Sequence, residues 1–336
     1  MPNSSEQRYL STNKPVRPSL NSCLSVVVVA LSVVPLGLFI FSLTGRYFFI
    51  AELANNFRCQ IMCLLIPFAL ILLLLRRWRL ALLFGIATAW SMIGIVWVFL
   101  PGLQPPRESS TIKIMSANVY ASNPTPQLAV QRILEYDPDL VMLIEFANDW
   151  EQVMQPLHAR YPFRVLQPRW HGFGIGLFSK LPLAETEIHQ LAGSVVDCPM
   201  IITHLKLGQQ KICVAGLHTL SPTNPIRMGL RNQQLVESAR ILRKINEPTI
   251  VMGDFNCTPW SPFLSDFIGT TGFRDSRQGF GFQATWHRDL GIFKIPIDHA
   301  FVSDGIFVHH RSVGAAIGSD HLPIMLEVSA RQLPNR

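Results

Sequence analysis

Three apolar stretches in the first hundred residues, Leu24 to Leu43, Cys59 to Leu75 and Leu80 to Leu100, are essentially free of charge, and each comes close to the ~20 residues that a bilayer span needs. The middle stretch is the shortest. A cleavable signal peptide is the rival reading of the first, but no small-x-small cleavage site stands out after it and two further stretches follow. The expected organisation is therefore a tail at residues 1–20, a three-helix transmembrane anchor at 21–100, a Pro-rich linker at 101–110 and a separate domain at 111–330.

Charge placement predicts orientation. Arg8, Lys14 and Arg17 precede the first stretch, and Arg76, Arg77 and Arg79 fill the turn between the second and third. Positive flanks stay in the cytoplasm, so the tail and that turn are expected inside. The loop from Thr44 to Arg58, where Glu52 offsets Arg46 and Arg58, is expected outside, and three spans starting inside deliver the domain outside. The formal net charge of +7 would ordinarily invite a nucleic-acid reading. Residues 1–100 hold eight of the 29 Lys+Arg and two of the 22 Asp+Glu, which leaves 21 and 20 for the rest. The basicity is largely a topology signal, and the domain is close to neutral. Of the six cysteines, Cys198 and Cys213 fall on neighbouring expected strands and could meet in an oxidising compartment, although buried thiols are the plainer reading.

From residue 111 onward, strand-like runs alternate with helices and then follow one another directly. A helix is expected after Thr125-Pro126 with Leu128, Ile133 and Leu134 on its apolar face, and a longer one from Pro225 to Ile245 with Ile226, Leu230, Leu235, Ala239 and Leu242 near one face. Strands are expected at Phe163 to Leu166, Gly174 to Ser179, Ala184 to Leu191, Met200 to Leu205 and Lys211 to His218, with Gly208-Gln209-Gln210 as a hairpin turn.

Six apolar runs finish on polar residues: Ile114-Met115-Ser116-Ala117-Asn118, Leu140 to Glu145, Gly216-Leu217-His218, Gly253-Asp254-Phe255-Asn256, Pro296-Ile297-Asp298-His299 and Gly318-Ser319-Asp320-His321. Carboxylates, amides and imidazoles at strand ends suit a hard divalent metal and a phosphate ester. The order of these six segments resembles the endonuclease/exonuclease/phosphatase superfamily, which includes DNase I, abasic-site endonucleases, sphingomyelinases and inositol-polyphosphate phosphatases. The resemblance spans roughly Ile112 to Val328. It implies an α/β fold, the DNase I-like four-layer sandwich of two central sheets flanked by helices, here preceded by the bundle of three transmembrane helices.

Residue by residue, the resemblance implies that Glu145 and Asp320 ligate Mg²⁺, or Mn²⁺ in its place, with Asn118 as the amide supporting metal and phosphate. Asp254 and Asn256 match the pair that positions and activates the attacking water. His321 matches the histidine close to the scissile phosphate, and Asp298 the acid that holds that ring's other nitrogen. His218 matches a phosphate contact or general acid. His299, one residue on from Asp298, should point to the opposite face of its strand and be structural. His171, Trp286, His287, Arg227 and Arg231 are candidates to line the substrate cleft, each with packing or surface roles as the alternative; Trp286 stands out because Thr-Trp recurs near this point in the superfamily. Val119-Tyr120 stands where some nuclease branches carry a further acidic residue.

The expected function is hydrolysis of a phosphate ester or anhydride at the outer face of the cytoplasmic membrane. Its expected partners are membrane lipids or a lipid-linked phosphate, with no obligate protein partner. An extracytoplasmic nuclease is the alternative and would call for Arg227, Arg231, Arg274, Arg277 and Arg288 in one stripe beside the cleft. A non-catalytic membrane module is a third reading, disfavoured because every expected polar position is filled.

Overall fold

The computed structural model describes residues 20–103, 110–170, 172–191 and 197–331. Helices α1 (Leu20–Ser42), α2 (Phe49–Asn55), α3 (Arg58–Leu74) and α4 (Trp78–Val96) form the N-terminal part. The domain follows as β1 (Thr111–Asn118), α5 (Pro126–Tyr136), β2 (Leu140–Ile144), α6 (Trp150–Val153), β3 (Phe163–Gln167), β4 (Ile175–Ser179), β5 (Ala184–Gln190), β6 (Pro199–Leu207) and β7 (Gln210–His218). It ends with α7 (Pro225–Leu242), β8 (Thr249–Asp254), α8 (Pro262–Thr271), β9 (Arg274–Asp275), β10 (Asp298–Val302), β11 (Ile306–Val313) and β12 (Ile324–Ala330).

Two six-stranded sheets, ordered β11-β12-β1-β2-β4-β3 and β5-β6-β7-β8-β10-β9, pack face to face. Each has a single parallel pair at its centre, β1 with β2 and β7 with β8. The period of two in the strands sorts the layers. Ile112 and Ile114 of β1, Leu140 and Met142 of β2, and Ile250 and Met252 of β8 fill the space between the sheets. The alternate residues Met115, Ala117, Val141 and Leu143 face α5 and α6, while Val251 and Phe301 face α7 and α8. Each such fully buried side chain stabilises the fold by about 1.5–3 kcal/mol. This is the four-layer sandwich expected from the resemblance.

Several local expectations need correction. The helix after Thr125-Pro126 forms, but the Thr125 hydroxyl does not cap it; the Thr125 N–H instead donates to Asn123 Oδ1 at 2.8 Å. Ala129, Val130 and Ile133 face the core, and Leu134 points out. In α7, Ile226 is 76% exposed and lies outside the apolar face. Strand β11 went unread because His309, His310 and Arg311 interrupt its apolar pattern, and β9 is only two residues long. Cys198 and Cys213 are buried thiols, the plainer of the two readings: no disulfide joins them, since Cys213 pairs in register with His204, six positions along from Cys198.

In the N-terminal part, α1 and α4 are each long and apolar enough to cross a membrane. The expected middle span is shorter: α3 has 17 residues and joins α2 at a 71° bend, so only the bent pair together passes the same test. Seventeen helical residues reach ~26 Å against a hydrocarbon core of ~30 Å. Leu65, Leu72, Phe84 and Ala87 bind the helices to one another, while Val26, Val33, Leu74 and Ile93 point outward.

Helix α2 lies against the catalytic layers. Buried Glu52 pairs with buried Arg231 of α7 and accepts from Ser261 Oγ at 2.8 Å. Asn55 Nδ2 donates to the Trp260 carbonyl at 2.6 Å, and Asn56 Oδ1 accepts from Thr258 Oγ1 at 2.9 Å. Arg46 grips Asp266 with both terminal nitrogens, at 2.8 and 2.9 Å, and Gln60 Nε2 reaches the Ile292 carbonyl at 2.9 Å.

Candidate active site

Strand register gathers five of the six polar segments, and the sixth, at Asp320-His321, joins them from the turn before β12. In the second sheet His218 of β7 stands beside Asp254 of β8, which stands beside Asp298 of β10. In the first sheet Asn118 ends β1 opposite Ile144, so Glu145 follows it directly. The ends of the two central parallel pairs thus meet at one edge of the sandwich, where Asn118 Nδ2 donates to Glu145 Oε1 at 3.0 Å and across the sandwich to Asp254 Oδ2 at 3.1 Å.

The backbone is bent to make this possible. Gly253 has φ +144°, and a Cβ there would sit 1.8 Å from the Leu217 carbonyl oxygen, so only glycine lets β8 reach Asp254 beside β7. Glu145 and Asn256 are left-handed, with φ 62° and 48°. Asparagine tolerates that region and glutamate seldom does, so the strain at Glu145 is held by its contacts: Oε1 takes the Asn118 amide and Oε2 the Ala121 N–H at 3.0 Å.

His321 Nδ1 bonds Asp298 Oδ2 at 2.8 Å, which leaves Nε2 3.8 Å from Asp254 Oδ2. Burial works against a charged ring here, but the Asp298 and Asp254 carboxylates outweigh it and hold the imidazole up at about 10. Burial, followed by the neighbouring Asp298 charge, pushes the Asp254 carboxyl up to about 8. Asp254 Oδ1 accepts the Asn256 N–H at 2.9 Å, and Asn256 Nδ2 donates to the Thr219 carbonyl at 2.9 Å.

His218 is buried, stacks on Phe173 with ring centroids 4.9 Å apart, and stands 3.9 Å from Asp254 Oδ2. Neither ring nitrogen has a hydrogen-bond partner among the described residues. Burial and the nearby His321 charge push this imidazole down to about 3, so it is neutral. A neutral ring with an unpartnered N–H is equipped to donate to an oxygen that arrives with a ligand; the alternative expectation of a general acid does not suit it.

A cavity of about 330 Å³ opens beside this cluster, lined by Glu145, Asp254, Asn256, Trp286, Asp320 and His321 among others. Trp286 Nε1 donates to Asp320 Oδ2 at 3.0 Å, which places that tryptophan in the cleft as expected. Leu53 of α2 and Asn56, just after it, also line it. Sequence reasoning missed these two because they lie in the loop between apolar stretches; the clue was Asn55-Asn56 beside Glu52 in an otherwise apolar segment.

Two expected site residues sit in supporting positions. Arg231 is buried beneath the cleft, held by Glu52, by Asn232 Oδ1 at 2.7 Å and by the Asn256 carbonyl at 3.0 Å, so it supports the site and cannot contact substrate. Asn118 Oδ1 accepts the Tyr120 N–H at 3.0 Å and its nitrogen donates to the Glu145 and Asp254 carboxylates, so it bridges them and has one lone pair of its oxygen left for a metal. His171 lies outside the described residues. His299 is structural, as expected: its Nε2 faces the Cys257 carbonyl at 2.8 Å. The arginines form no stripe, since Arg277 is buried on Asp275, Arg274 bonds the Ile306 carbonyl, Arg227 bonds the Ser221 carbonyl and Arg288 meets Asp289.

Asp254, Asp298 and His321 bring one potential ligand atom each within 4.8 Å of one another. A protonated imidazole already bonded to a carboxylate has no free lone pair, so this trio does not form a metal site as it stands. The wider cluster does suit a divalent cation. Glu145, Asp298 and Asp320 gather with the Asp254 carboxyl around one imidazolium, and the excess negative charge of the first three is the hard oxygen environment that such an ion takes.

Among solved structures the domain resembles zebrafish (D. rerio) TDP2 complexed with single-strand DNA product, with 18% identity and a TM-score of 0.58 over 66% of this chain and all of that one. The human Nocturnin catalytic domain with bound sulfate matches at 20% identity and TM-score 0.54, covering 68% and 100%. An endonuclease/exonuclease/phosphatase from Beutenbergia cavernae matches at 16% and 0.53, covering 66% and 72%. No curated protein matches by sequence. Residues 115–321, more than half the chain, match the profile of the Endonuclease/Exonuclease/phosphatase family. With the six strand-end residue groups converging in one cleft, the chain belongs to that family of metal-dependent hydrolases of phosphoric ester bonds.

Proposed function

We propose that this enzyme hydrolyses a phosphate ester or anhydride carried by a lipid at the outer face of the cytoplasmic membrane, with Mg²⁺ as its ion. The observation that carries the reading is the wall of the cleft: Leu53 and Asn56, which line it, belong to the short helix between the first two apolar helices and to the residue that ends it. A cleft walled by an interhelical segment of a membrane anchor opens at lipid level, where tethering raises the effective concentration of membrane-bound substrate. Two further features support the orientation. The 44–58 segment and the domain touch, so they share one side of the membrane, while Arg76, Arg77 and Arg79 sit at the far end of the helices, on the side favoured for positive residues.

Glu145 and Asp320 would hold the ion, which supplies charge neutralisation of the phosphoryl oxygens when bound. The chain's own groups do the rest. Asp254, fixed by Asn118 and the Asn256 N–H, takes the proton of the attacking water. His321, held cationic by Asp298, faces the charge that grows on the phosphoryl group, and neutral His218 donates to one of its oxygens.

The test is phosphate release by detergent-purified full-length protein with Mg²⁺, comparing a polyprenyl pyrophosphate, a phospholipid, and single-stranded and duplex DNA, with Asp254→Ala as control. Lipid turnover that vanishes in the variant is expected. Variant-sensitive DNA cleavage without lipid turnover would replace this reading with an extracytoplasmic nuclease, the activity class to which the DNA-product complex of zebrafish TDP2 points.

A further inference from the structure

A second cavity, about 500 Å³, lies on the other side of α2 from the cleft. Its walls are the end of α1 and the following turn (Leu43, Arg46, Tyr47), the start of α3 (Arg58), the late part of α4 (Trp90, Ile93) and Trp260 of the domain. It therefore sits where the apolar helices end and the catalytic layers begin.

Its polar groups are unbalanced. Arg46 is paired with Asp266, but Arg58 makes no hydrogen bond or ion pair among the described residues, and its Nε is shielded from solvent. Gly94 keeps the space beside it open, since a Cβ there would come within 3.2 Å of both Arg58 Nη1 and the Trp260 ring. Asn55 spends its nitrogen on the Trp260 carbonyl, and its Oδ1 is buried with no donor. An unpaired guanidinium and an orphaned carbonyl in one cavity call for a ligand that is both anion and donor. Toward the surrounding bilayer the cavity is flanked by exposed Tyr47, Trp90 and Ile93, the aromatic and apolar residues that suit the headgroup boundary.

We infer that this cavity is a phospholipid site separate from the catalytic cleft: the lipid phosphate takes Arg58, a headgroup hydroxyl or ammonium donates to Asn55 Oδ1, and the acyl chains run down past Trp90 and Ile93. The inference rests on the membrane placement proposed above but not on the hydrolytic reading, because the site contains none of the catalytic residues and its test reads binding.

Full-length protein in lipid-free detergent is titrated with dioleoylphosphatidylglycerol, with dioleoylphosphatidylcholine, which lacks a headgroup donor, and with inorganic phosphate. Thermal melts and native mass spectrometry are the readouts. Phosphatidylglycerol should bind one molecule per chain at this site and raise the melting temperature, phosphatidylcholine should bind more weakly, and Arg58→Gln should weaken phosphatidylglycerol binding by at least about tenfold. Without lipid, Arg58→Gln should melt no lower than the parent, because it removes an uncompensated charge, and this separates lost binding from lost folding. Equal phosphatidylglycerol affinity in the two proteins, or displacement of the lipid by equimolar inorganic phosphate, would overturn the assignment. Loss of hydrolysis with lipid binding retained would count only against the catalytic reading.

Discussion

Among the contacts that join the domain to the N-terminal helices, the buried Glu52–Arg231 pair is an ion pair with both partners buried, and removing one partner should cost far more than removing both. In Glu52→Ala the Arg231 guanidinium keeps its bonds to Asn232 and the Asn256 carbonyl but loses its only anionic partner among the described residues while still buried, and Ser261 Oγ loses its acceptor. Stranding a buried charge in this way costs roughly 3–5 kcal/mol. For a domain of this size each kcal/mol lowers the melting temperature by about 2–4 °C, so a fall of roughly 6–20 °C is expected in detergent. Replacing both residues by Met removes the charges together and should recover most of that loss. The cycle of Glu52→Met, Arg231→Met and the double variant, read by thermal melts and by KM for a lipid substrate, isolates the pair. Because Arg231 holds the Asn256 carbonyl and α2 walls the cleft, the single variants should also raise KM. If Glu52→Ala melts within about 1 kcal/mol of the parent, the pair does not dock the anchor and this reasoning fails.

Other consequences follow from individual contacts. Trp286→Phe removes the N–H that orients Asp320, so the Mg²⁺ concentration for half-maximal rate should rise by ~10–100-fold; an unchanged requirement would take Asp320 out of the metal shell. Asp298→Asn leaves His321 without its anionic partner and should lower kcat by about 10²–10⁴-fold with little change in melting temperature, measured on a soluble phosphodiester. Chelation by EDTA should abolish hydrolysis, and added Mg²⁺ should restore it. Burial and the charge of Arg277 hold the His299 imidazole down at about 4, with Asp275 opposing and Arg311 reinforcing the shift. The unfolded chain, titrating near 6.5, then binds more protons than the folded one, so stability falls as pH drops from about 6.5 to 4, by up to ~3 kcal/mol. His299→Gln should flatten that limb in urea titrations, and an equally steep limb would assign it to another group.

How much of this was legible in the chain depends on the range of the interaction. The polar residues Asn118, Glu145, His218, Asp254, Asp298 and His321 could be read because each borders a local apolar run, and parallel pairing of β1 with β2 and β7 with β8, with antiparallel pairing of β8 and β10, then carries the first five to one edge. The expectation that His299 turns away from the site followed from the period of two alone, and its bond to the Cys257 carbonyl bears it out. Arg231 was misread because its partner lies 179 residues earlier in a loop between apolar helices, and no local pattern connects Glu52 to it. The direction of the Asn118 amide could not be read, because Tyr120 and two carboxylates together set it. Strand β11 stayed hidden because an edge strand needs only a half-buried pattern.

The central claim is that the cleft works on lipid in the membrane that holds its own anchor. Protein reconstituted into vesicles containing a polyprenyl pyrophosphate can be compared with protein in substrate-free vesicles mixed with separate substrate vesicles, reading phosphate release at matched total substrate. The account predicts rapid turnover in the shared membrane and little across the gap. Equal rates in the two arrangements would contradict it, because they would mean that the cleft does not depend on lying at the surface of its own bilayer.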